Sequence, residues 1–343
     1  VGTGLGARHN ILIKDAATLE GVSRIQTIVL DKTGTLTEGK PSVTDVVPAP
    51  GVSEGELLSR AAAVSRHSTH PLSRAIVDAA QVRKVDTGPQ AEAVETLAGF
   101  GLKARVQGET VLIGNAKLLE REGVDPGGLR ESGDTLAAAG RSLSYVAAGG
   151  RPLGVLGVTD AIRPSSAGAL QALRDLGITP VLLSGDLRPI AEQVARDVGI
   201  DKVFAEVRPE EKAGYVKQLQ AAGQFTAMVG DGVNDAPALA QADIGMAIGA
   251  GTDVAIQAAQ VVLLKSDPAD IVRAIRLSKA TVRKMKQNLA WASVYNLLAI
   301  PVAAGVFYRS LGWSLRPEVS ALLMSLSSII VAVNAVSLRR ARI

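Results

Sequence analysis

The first candidate for chemistry is an acidic residue that directly follows a mostly apolar run. Ile25–Leu30 is followed by Asp31, Lys32 and Thr33. A carboxylate at the end of a strand can attack a phosphoryl group and form an aspartyl phosphate. The charge of Lys32 would then lie near the transferred oxygens, and the hydroxyls of Thr33 and Thr35 could bind phosphate or shape the loop. The alternative is a helix cap, a common role for a lone Asp.

A second acidic cluster, Gly230–Asp235, follows the apolar run Thr226–Val229. Asp231, Asn234 and Asp235 supply two carboxylates and an amide, which are oxygen ligands of the kind that Mg²⁺ prefers. The alternative is a turn rich in Gly and Asp. The cluster therefore indicates a cation site only if other groups converge on it.

A third polar segment follows another strand-like run. Ser184, Gly185 and Asp186 come directly after Pro180–Leu183. The Ser184 hydroxyl can donate to a phosphoryl oxygen, and Lys212 could supply a further positive charge. Three strand ends with these residue types, in this order, indicate a single site for phosphoryl chemistry.

Residues that could hold a nucleotide lie between the first and third segments. An imidazole can stack on adenine or hydrogen-bond to it, and glycines let the backbone approach a ligand closely. Each of these features is weak by itself. The residues concerned are His70, Pro71, Gly99, Gly101, Gly114 and Asn115.

A parallel sheet would bring the three segments together, because the carboxyl ends of its strands lie along one edge. Short apolar runs that end in polar turns, with helical patterns between them, predict this architecture. The stretch from Pro41 to Gly150 instead predicts an inserted α+β domain, with a helical pattern at Ser53–Ala80. Its strand-like pieces are Ala93–Leu97, Leu102–Val106, Thr110–Ile113 and Ser142–Ala148.

Two uncharged runs near the C-terminus, Leu289–Tyr308 and Val319–Leu338, are long enough to cross a hydrocarbon core of about 30 Å as helices. Basic residues flank their outer ends, which predicts a transmembrane hairpin with both ends in the cytoplasm. The alternative is a buried helix pair. Polar or soft side chains within the runs, which are costly in a membrane and often functional, are Tyr295, Asn296, Met324, Ser327 and Ser328.

The composition excludes several classes of protein. The 343 residues are 47% hydrophobic, too apolar for a disordered chain. The net charge of +4 and 3% aromatic content argue against a nucleic-acid partner. No cysteine is present, which excludes disulfides, Fe–S clusters and a Cys nucleophile within these residues, and three histidines leave no His-rich zinc site.

Three motifs resemble those of P-type cation-transporting ATPases: Asp31–Thr37 (DKTGTLT), Ser184–Asp186 and Gly230–Pro237 (GDGVNDAP). The first motif is highly specific, and the resemblance covers nearly the whole chain. It implies an α/β fold with a haloacid-dehalogenase-like, parallel-sheet phosphorylation domain, an inserted α+β nucleotide-binding domain and a C-terminal transmembrane helix hairpin. It also implies an ATP-hydrolysing translocase that forms an aspartyl phosphate.

The resemblance assigns roles to the matching residues. Asp31 would be the phosphorylated nucleophile with Lys32 beside it, and Asp31, the Thr33 carbonyl and Asp231 would hold Mg²⁺. Related phosphatases usually carry an acid/base Asp at the position of Thr33, so the phosphoenzyme should persist here. Residues expected to contact the phosphoryl group or to organise the site are Thr35, Ser184, Gly185, Asp186, Lys212, Asn234 and Asp235.

Two further features resemble the heavy-metal subgroup of these ATPases. The His70–Pro71 dipeptide marks the nucleotide-binding domain of that subgroup, which usually has Glu at the positions of Thr69 and Ser65. The Tyr295–Asn296 pair and the Met324, Ser327 and Ser328 set resemble the copper-transporting members. A Met thioether suits Cu(I). The implied ligands are therefore ATP and Mg²⁺, with Cu(I) as the transported ion.

The opening residues resemble the end of a membrane helix, so the chain resembles the C-terminal half of a copper pump. Expected partners are ATP, Cu(I), the lipid bilayer, a copper chaperone and the N-terminal part of the same pump. The expected location is a membrane crossed several times (the plasma membrane in a bacterium), with the catalytic domains in the cytoplasm. The predicted boundaries are 1–22 for the helix end and stalk, 23–42 and 151–268 for the phosphorylation domain, 43–150 for the nucleotide-binding domain, 269–288 for a basic stalk helix, and 289–308 and 319–338 for the spans.

Three other functions are compatible with parts of the sequence. One is a membrane-tethered haloacid-dehalogenase-like phosphohydrolase, against which Thr33 argues. Another is a non-catalytic nucleotide-binding regulator, which Thr69 and Ser65 slightly favour. The third is the same type of pump for another metal, either zinc or divalent copper.

Overall fold

The computed structural model describes residues 1–86, 90–231, 233–249, 253–304, 306 and 317–340. The chain forms two compact units. The first comprises Val1–Val29, Ala172–Thr179 and Lys212–Ile343, and the second comprises Leu30–Gln171 and Pro180–Glu211. The domain boundaries given above remain predictions.

Helices and strands are interspersed along the chain. Their bounds are α1 (Gly2–Arg8), β1 (Ile11–Ile13), α2 (Ala16–Ser23), β2 (Thr27–Asp31), β3 (Thr37–Pro48), α3 (Glu54–Ser65), α4 (Pro71–Val82), β4 (Glu92–Leu97), β5 (Gly101–Val106), β6 (Glu109–Gly114), α5 (Ala116–Arg121), α6 (Leu129–Ala138), β7 (Ser142–Ala148), β8 (Arg151–Ile162), α7 (Ser166–Asp175), β9 (Thr179–Leu183), α8 (Arg188–Val198), β10 (Lys202–Phe204), α9 (Lys212–Ala221), β11 (Thr226–Gly230), α10 (Ala236–Gln241), β12 (Ile244–Ile248), α11 (Asp253–Ala258), β13 (Val261–Leu263), α12 (Ala269–Ala303) and α13 (Pro317–Ser337).

The first unit contains a largely parallel sheet with the strand order β1-β13-β12-β11-β2. Strands β11, β12 and β13 are parallel, and β1 is antiparallel to β13. Every residue of β2, β11 and β12 is buried. Strands buried on both faces need near-continuous apolar sequences rather than alternating ones, which is the pattern seen in these strands. The predicted strands at Ile25–Leu30 and Thr226–Val229 are confirmed.

The second unit contains an antiparallel sheet with the order β3-β8-β7-β6-β5-β4. Alternate residues of β6 serve two different cores. Val111 and Ile113 pack with residues of α3 and α4, whereas Leu112 packs with residues of α5 and α6. Because successive side chains of a strand point to opposite faces, the two cores show that helices cover both faces of this sheet. The α+β character predicted for this region is confirmed. The predicted strand at Pro180–Leu183 is also confirmed as β9, which is parallel to β10.

The helical pattern predicted at Ser53–Ala80 is divided into two helices by their caps. Ser53 caps α3 by accepting a hydrogen bond from the Glu56 amide at 3.1 Å. His70 caps α4, because its Nδ1 accepts from the Leu72 amide at 3.2 Å. Pro71 occupies the first turn of α4, where a missing N–H costs nothing.

Helix α12 changes character along its length. Ile271, Ile275 and Leu277 in its first half are fully buried, whereas Leu289 and Leu297 in its second half are 69% and 74% exposed. The predicted stalk helix 269–288 and the start of the predicted span 289–308 are therefore one continuous helix. It ends at Ala303, with Pro301 in its last turn.

Among the residues that the structure describes, no helix has the length and hydropathy that crossing a membrane requires. The predicted spans 289–308 and 319–338 are thus not reproduced as spanning helices in the described part of the chain. Residues 305, 307 and 308 of the first span lie outside that part.

Polar side chains join α12 to α13. Lys284 Nζ donates to Asn334 Oδ1 at 2.8 Å, and Asn334 Nδ2 donates to Asn288 Oδ1 at 2.7 Å. Asn288 and Asn334 were not singled out by their sequence context. Their contacts fix the register of the two helices at one end of the pair.

Candidate active site

Asp31 is the last residue of β2 and is 6% exposed. The five residues after it, Lys32–Leu36, form a tight turn before β3 begins. Gly34 has φ +74°, a backbone conformation that favours glycine, and Thr33 has an extended conformation. The turn therefore holds the Asp31 side chain at the end of a buried strand.

Lys32 and Ser184 are held by one carboxylate. Lys32 Nζ lies 2.6 Å from Asp186 Oδ2, and Ser184 Oγ donates to the same oxygen at 2.8 Å. The Asp186 amide in turn donates to Ser184 Oγ at 3.1 Å. Ser184 and Lys32 are both buried, so their donors keep fixed positions beside the Asp31 turn. Gly185, between the two acceptors, is exposed.

Three residues near the end of β8 hold the Asp31 turn in place. Arg163 Nη2 donates to the Gly34 carbonyl at 3.1 Å, and the Ser166 hydroxyl donates to the Leu36 carbonyl at 2.8 Å. Asp160 Oδ2 lies 2.5 Å from Thr37 Oγ1. Asp160, Arg163 and Ser166 were not predicted from the sequence, because more than 120 positions separate them from their partners and no motif links them to the turn.

Thr35 carries a buried hydroxyl whose hydrogen-bonding capacity is unused. Its side chain is fully buried, and its Oγ1 has no hydrogen-bond partner among the described residues. A buried hydroxyl without a partner costs free energy, and an acceptor such as a phosphoryl oxygen would recover it. Thr35 thus fits a site that is completed by an anionic ligand.

A second buried lysine contacts the Gly230–Asp235 segment. Lys212, at the start of α9, places Nζ 2.6 Å from Asp235 Oδ1, and both side chains are at least 90% buried. A Cβ atom on Gly230 would lie 2.5 Å from Asp235 Oδ2, so only glycine allows this approach. Asn234 is exposed and Asp231 is partly buried. Residue 232 lies outside the described residues.

A pocket of about 310 Å³ in the second unit collects five of the six predicted nucleotide residues. Its lining also includes Phe100, whose ring lies 5.2 Å from the Arg121 guanidinium. Phe100 was not predicted as a site residue, although it stands between two of the glycines. Pro71 is not among the lining residues. The predicted residues in the lining are His70, Gly99, Gly101, Gly114 and Asn115.

The glycines of this pocket are first of all packing residues. Gly101 and Gly114 are directly opposite in the β5–β6 pair. A Cβ atom on Gly101 would lie 2.1 Å from the Ile113 carbonyl oxygen, and one on Gly114 equally close to the Phe100 carbonyl oxygen. Asn115 Nδ2 donates to the Gly99 carbonyl at 2.8 Å. These contacts form the pocket wall before any ligand arrives.

The predicted transport residues lie on α12 and α13. Asn296 and Met324 are exposed, and the Ser328 hydroxyl donates to the Met324 carbonyl one turn earlier at 3.1 Å. Ser328 therefore uses its proton within its own helix. Ser327 is half-buried. The Tyr295 side chain lies outside the described residues.

Comparisons with known proteins agree with this geometry. The family model for haloacid dehalogenase-like hydrolases matches residues 25–243. The probable copper-transporting ATPase PacS of Synechococcus elongatus is 45% identical over 99% of this chain and 46% of its own length. A zinc-transporting PIB-type ATPase in its E2.Pi state has a TM-score of 0.83 and 36% identity over 98% of this chain and 54% of its own.

A third comparison covers the catalytic region alone. The catalytic domain of the CPx-ATPase CopB-B, described for its changes upon nucleotide binding, has a TM-score of 0.65 and 26% identity. It matches 80% of this chain and 98% of its own length. The chain spans about half the length of the curated relatives it matches. It belongs to the haloacid dehalogenase-like hydrolases and carries the catalytic domains of a P-type ATPase.

Proposed function

We propose that the protein to which this chain belongs exports Cu(I) across a membrane at the expense of ATP, through an aspartyl phosphate at Asp31. The observation that carries the proposal is the Asp31 carboxylate at the buried end of β2, beside the Lys32–Asp186 pair. Relatives that match 99% or more of this chain are named as copper-transporting or copper-exporting ATPases.

The reaction is in-line phosphoryl transfer. An oxygen of Asp31 attacks the γ-phosphorus of ATP, the bond to the bridging oxygen breaks, and ADP leaves with that electron pair. Lys32 and Lys212 offset charge on the phosphoryl oxygens, and the Ser184 and Thr35 hydroxyls donate to them. Groups fixed in this way act where charge develops in the transition state. Thr33 has no acid/base function, so the acyl phosphate is not rapidly hydrolysed by a neighbouring carboxyl group.

The donor set of the site fits Mg²⁺. Asp31, Asp231 and Asp235 each offer a carboxylate oxygen, and hard carboxylate oxygens are the ligands Mg²⁺ selects. Asp31 and Asp231, with the Thr33 carbonyl, would hold the ion. Asp235 is already paired with Lys212, so it would organise the site rather than ligate. Bound Mg²⁺ would neutralise phosphate charge during the transfer.

The pocket around His70 is the proposed site for the adenine of ATP. The His70 Nδ1 accepts from the Leu72 amide, which leaves Nε2 as the nitrogen able to contact a ligand. The pocket lining is mainly apolar with a few hydroxyl groups, which suits a flat base. Gly99, Gly101, Gly114 and Asn115 shape its wall, and Phe100 offers an aromatic face.

The second half of α12 and the helix α13 are proposed to lie in lipid, in a membrane crossed several times by the intact protein. Large apolar side chains on both helices are exposed, including Leu298 and Leu322 at 66% and 69%. The proposed transport residues on these helices are Tyr295, Asn296, Met324, Ser327 and Ser328. The N-terminal part of the pump and a copper chaperone are the further partners that this function requires.

The metal is tested by stimulated turnover of the intact protein. We expect Cu(I) to stimulate ATP hydrolysis, and Met324→Ala to raise the Cu(I) concentration for half-maximal stimulation at least about tenfold, since a soft ligand is lost. Met285→Ala is the matched control, because Met285 is also exposed but lies in the basic segment of α12, more than two turns before the proposed transport residue Tyr295. The similarity to a zinc-transporting ATPase makes zinc the second candidate. Stimulation by Zn²⁺ but not Cu(I) would contradict the copper assignment.

A further inference from the structure

One face of α12 changes from basic to apolar in mid-helix. Lys279, Arg283 and Lys286 recur at every third or fourth position and therefore share this face. With Ser23 and Gln287 they border an open groove of about 520 Å³. Arg283 and Lys286 are exposed. We call this face the basic groove.

The same face continues as an apolar stripe. Ala290, Val294 and Leu297 extend the three-to-four spacing beyond Lys286, and Val294 and Leu297 are 51% and 74% exposed. At about 1.5 Å per residue, Lys286 and Leu297 are about 16 Å apart along the helix, roughly half a hydrocarbon core of about 30 Å. The cations and the apolar side chains thus follow the order of headgroup and acyl chain in one lipid leaflet.

The cations on α12 differ in how far their side chains are committed to contacts within the protein. Lys284 donates to Asn334 on α13, and its side chain is committed to that contact. Lys279 is partly committed as well, because its Nζ donates to the Leu176 carbonyl at 3.0 Å. Arg283 and Lys286 are the members of the basic groove whose charges reach water most freely.

We propose that the basic groove binds the phosphate headgroup of an anionic phospholipid, whose acyl chains lie along Val294 and Leu297. The proposal rests on the membrane location proposed above and adds a lipid-specific site to it. Cations contribute to binding an anionic surface in proportion to their number, and the long Lys and Arg stems can reach a headgroup from the helix. The site would anchor the helix that leaves the buried core of the first unit.

Vesicle binding by the full chain tests the site. We compare phosphatidylcholine vesicles with vesicles that contain about one third phosphatidylglycerol, and we expect a preference for the anionic ones that salt weakens. Replacing both cations by Arg283→Gln and Lys286→Gln should lower binding to anionic vesicles about 25-fold, at about fivefold per charge, and leave binding to phosphatidylcholine unchanged. The charge-matched control is the pair Lys217→Gln and Lys265→Gln, at exposed positions outside the groove.

Each other outcome has a distinct meaning. Equal binding to both vesicles, unaffected by the double substitution, would overturn the headgroup site while leaving the membrane location intact. Failure to bind either vesicle would overturn the membrane location and the headgroup site together. Loss of the anionic preference on adding inorganic phosphate, but not chloride at equal ionic strength, would assign the groove to free phosphate and overturn the lipid.

Discussion

Lys32 Nζ and Asp186 Oδ2 lie 2.6 Å apart at the candidate active site. The pair joins the turn after β2 to the end of β9, so the cation that would meet the phosphoryl group is already fixed. Because Asp186 also accepts from Ser184, one carboxylate positions two donors. Preorganised donors of this kind avoid reorganisation during the reaction.

Removing the positioning carboxylate should slow phosphorylation even at temperatures where the variant is fully folded. Asp186→Asn keeps the side-chain shape but leaves Lys32 without its counter-charge, and we expect phosphoenzyme formation from ATP to fall about tenfold or more. The Lys32 side chain is only 10% exposed, so loss of its counter-charge should also lower the melting temperature, and the rate is therefore measured well below the melting point of the variant. Rapid-quench labelling of the intact protein measures the rate. Glu210→Gln, at an exposed position, is the control, and equal rates in both variants would contradict the role of Asp186.

Arg163 should act through the backbone of the Asp31 turn. Arg163→Lys keeps the charge but loses the guanidinium Nη2 that donates to both the Gly34 and the Glu38 carbonyls. We expect faster amide exchange in residues 33–38 and a phosphorylation rate lower by about tenfold. Arg151→Lys, at a mostly exposed ion pair with Glu56, should change neither. Slower phosphorylation without any change in amide exchange would refute a positioning role.

Gly101 should tolerate no side chain, whatever the ligand. In Gly101→Ala the new Cβ meets the Ile113 carbonyl in a strained backbone conformation, so the free energy of unfolding should fall by at least about 2 kcal/mol. Gly108→Ala is the control, because Gly108 also has positive φ but faces open space, and it should cost about 1 kcal/mol. Urea unfolding followed by circular dichroism measures both. Similar losses would show that backbone strain, not the close strand approach, requires Gly101.

Tyr145 should make stability depend on pH in the alkaline range. Burial raises the pKa of the Tyr145 phenol above its usual value of 10.0, and the charge of Asp134 adds to the shift. The unfolded chain therefore loses this proton first, and stability falls as the pH rises through 10. Tyr145→Phe should remove that part of the decline. Thermal melts of both proteins at about pH 8 and about pH 11 test it, and parallel declines would exclude Tyr145 as the cause.

The strand ends of the site were predictable because they depend on local sequence. Asp31, Ser184 and Asp231 each follow an apolar run that is long enough for a buried strand, and polar residues at such ends mark ligand sites. His70 was predictable as a pocket residue but not as the cap of α4, since the capping role depends on the helix starting at Pro71.

Contacts between distant segments could not be predicted. Arg163 reaches the Asp31 turn only because β3 and β8 pair, and a single sequence does not give that register. The same holds for Asn288 and Asn334, whose contact depends on how α12 and α13 pack. The division of 269–308 into stalk and span was based on charge, which does not interrupt helical hydrogen bonding.

Acid-quench labelling of the intact protein with γ-labelled ATP tests the central claim most directly. We predict an acid-stable, hydroxylamine-labile label in the unmodified protein and none in Asp31→Asn, since the amide keeps the shape of the carboxylate but is not a nucleophile. Peptide mapping should place the label within residues 25–40. Equal labelling of Asp31→Asn, or a label that resists hydroxylamine, would contradict the assignment of Asp31 as the phosphorylated residue.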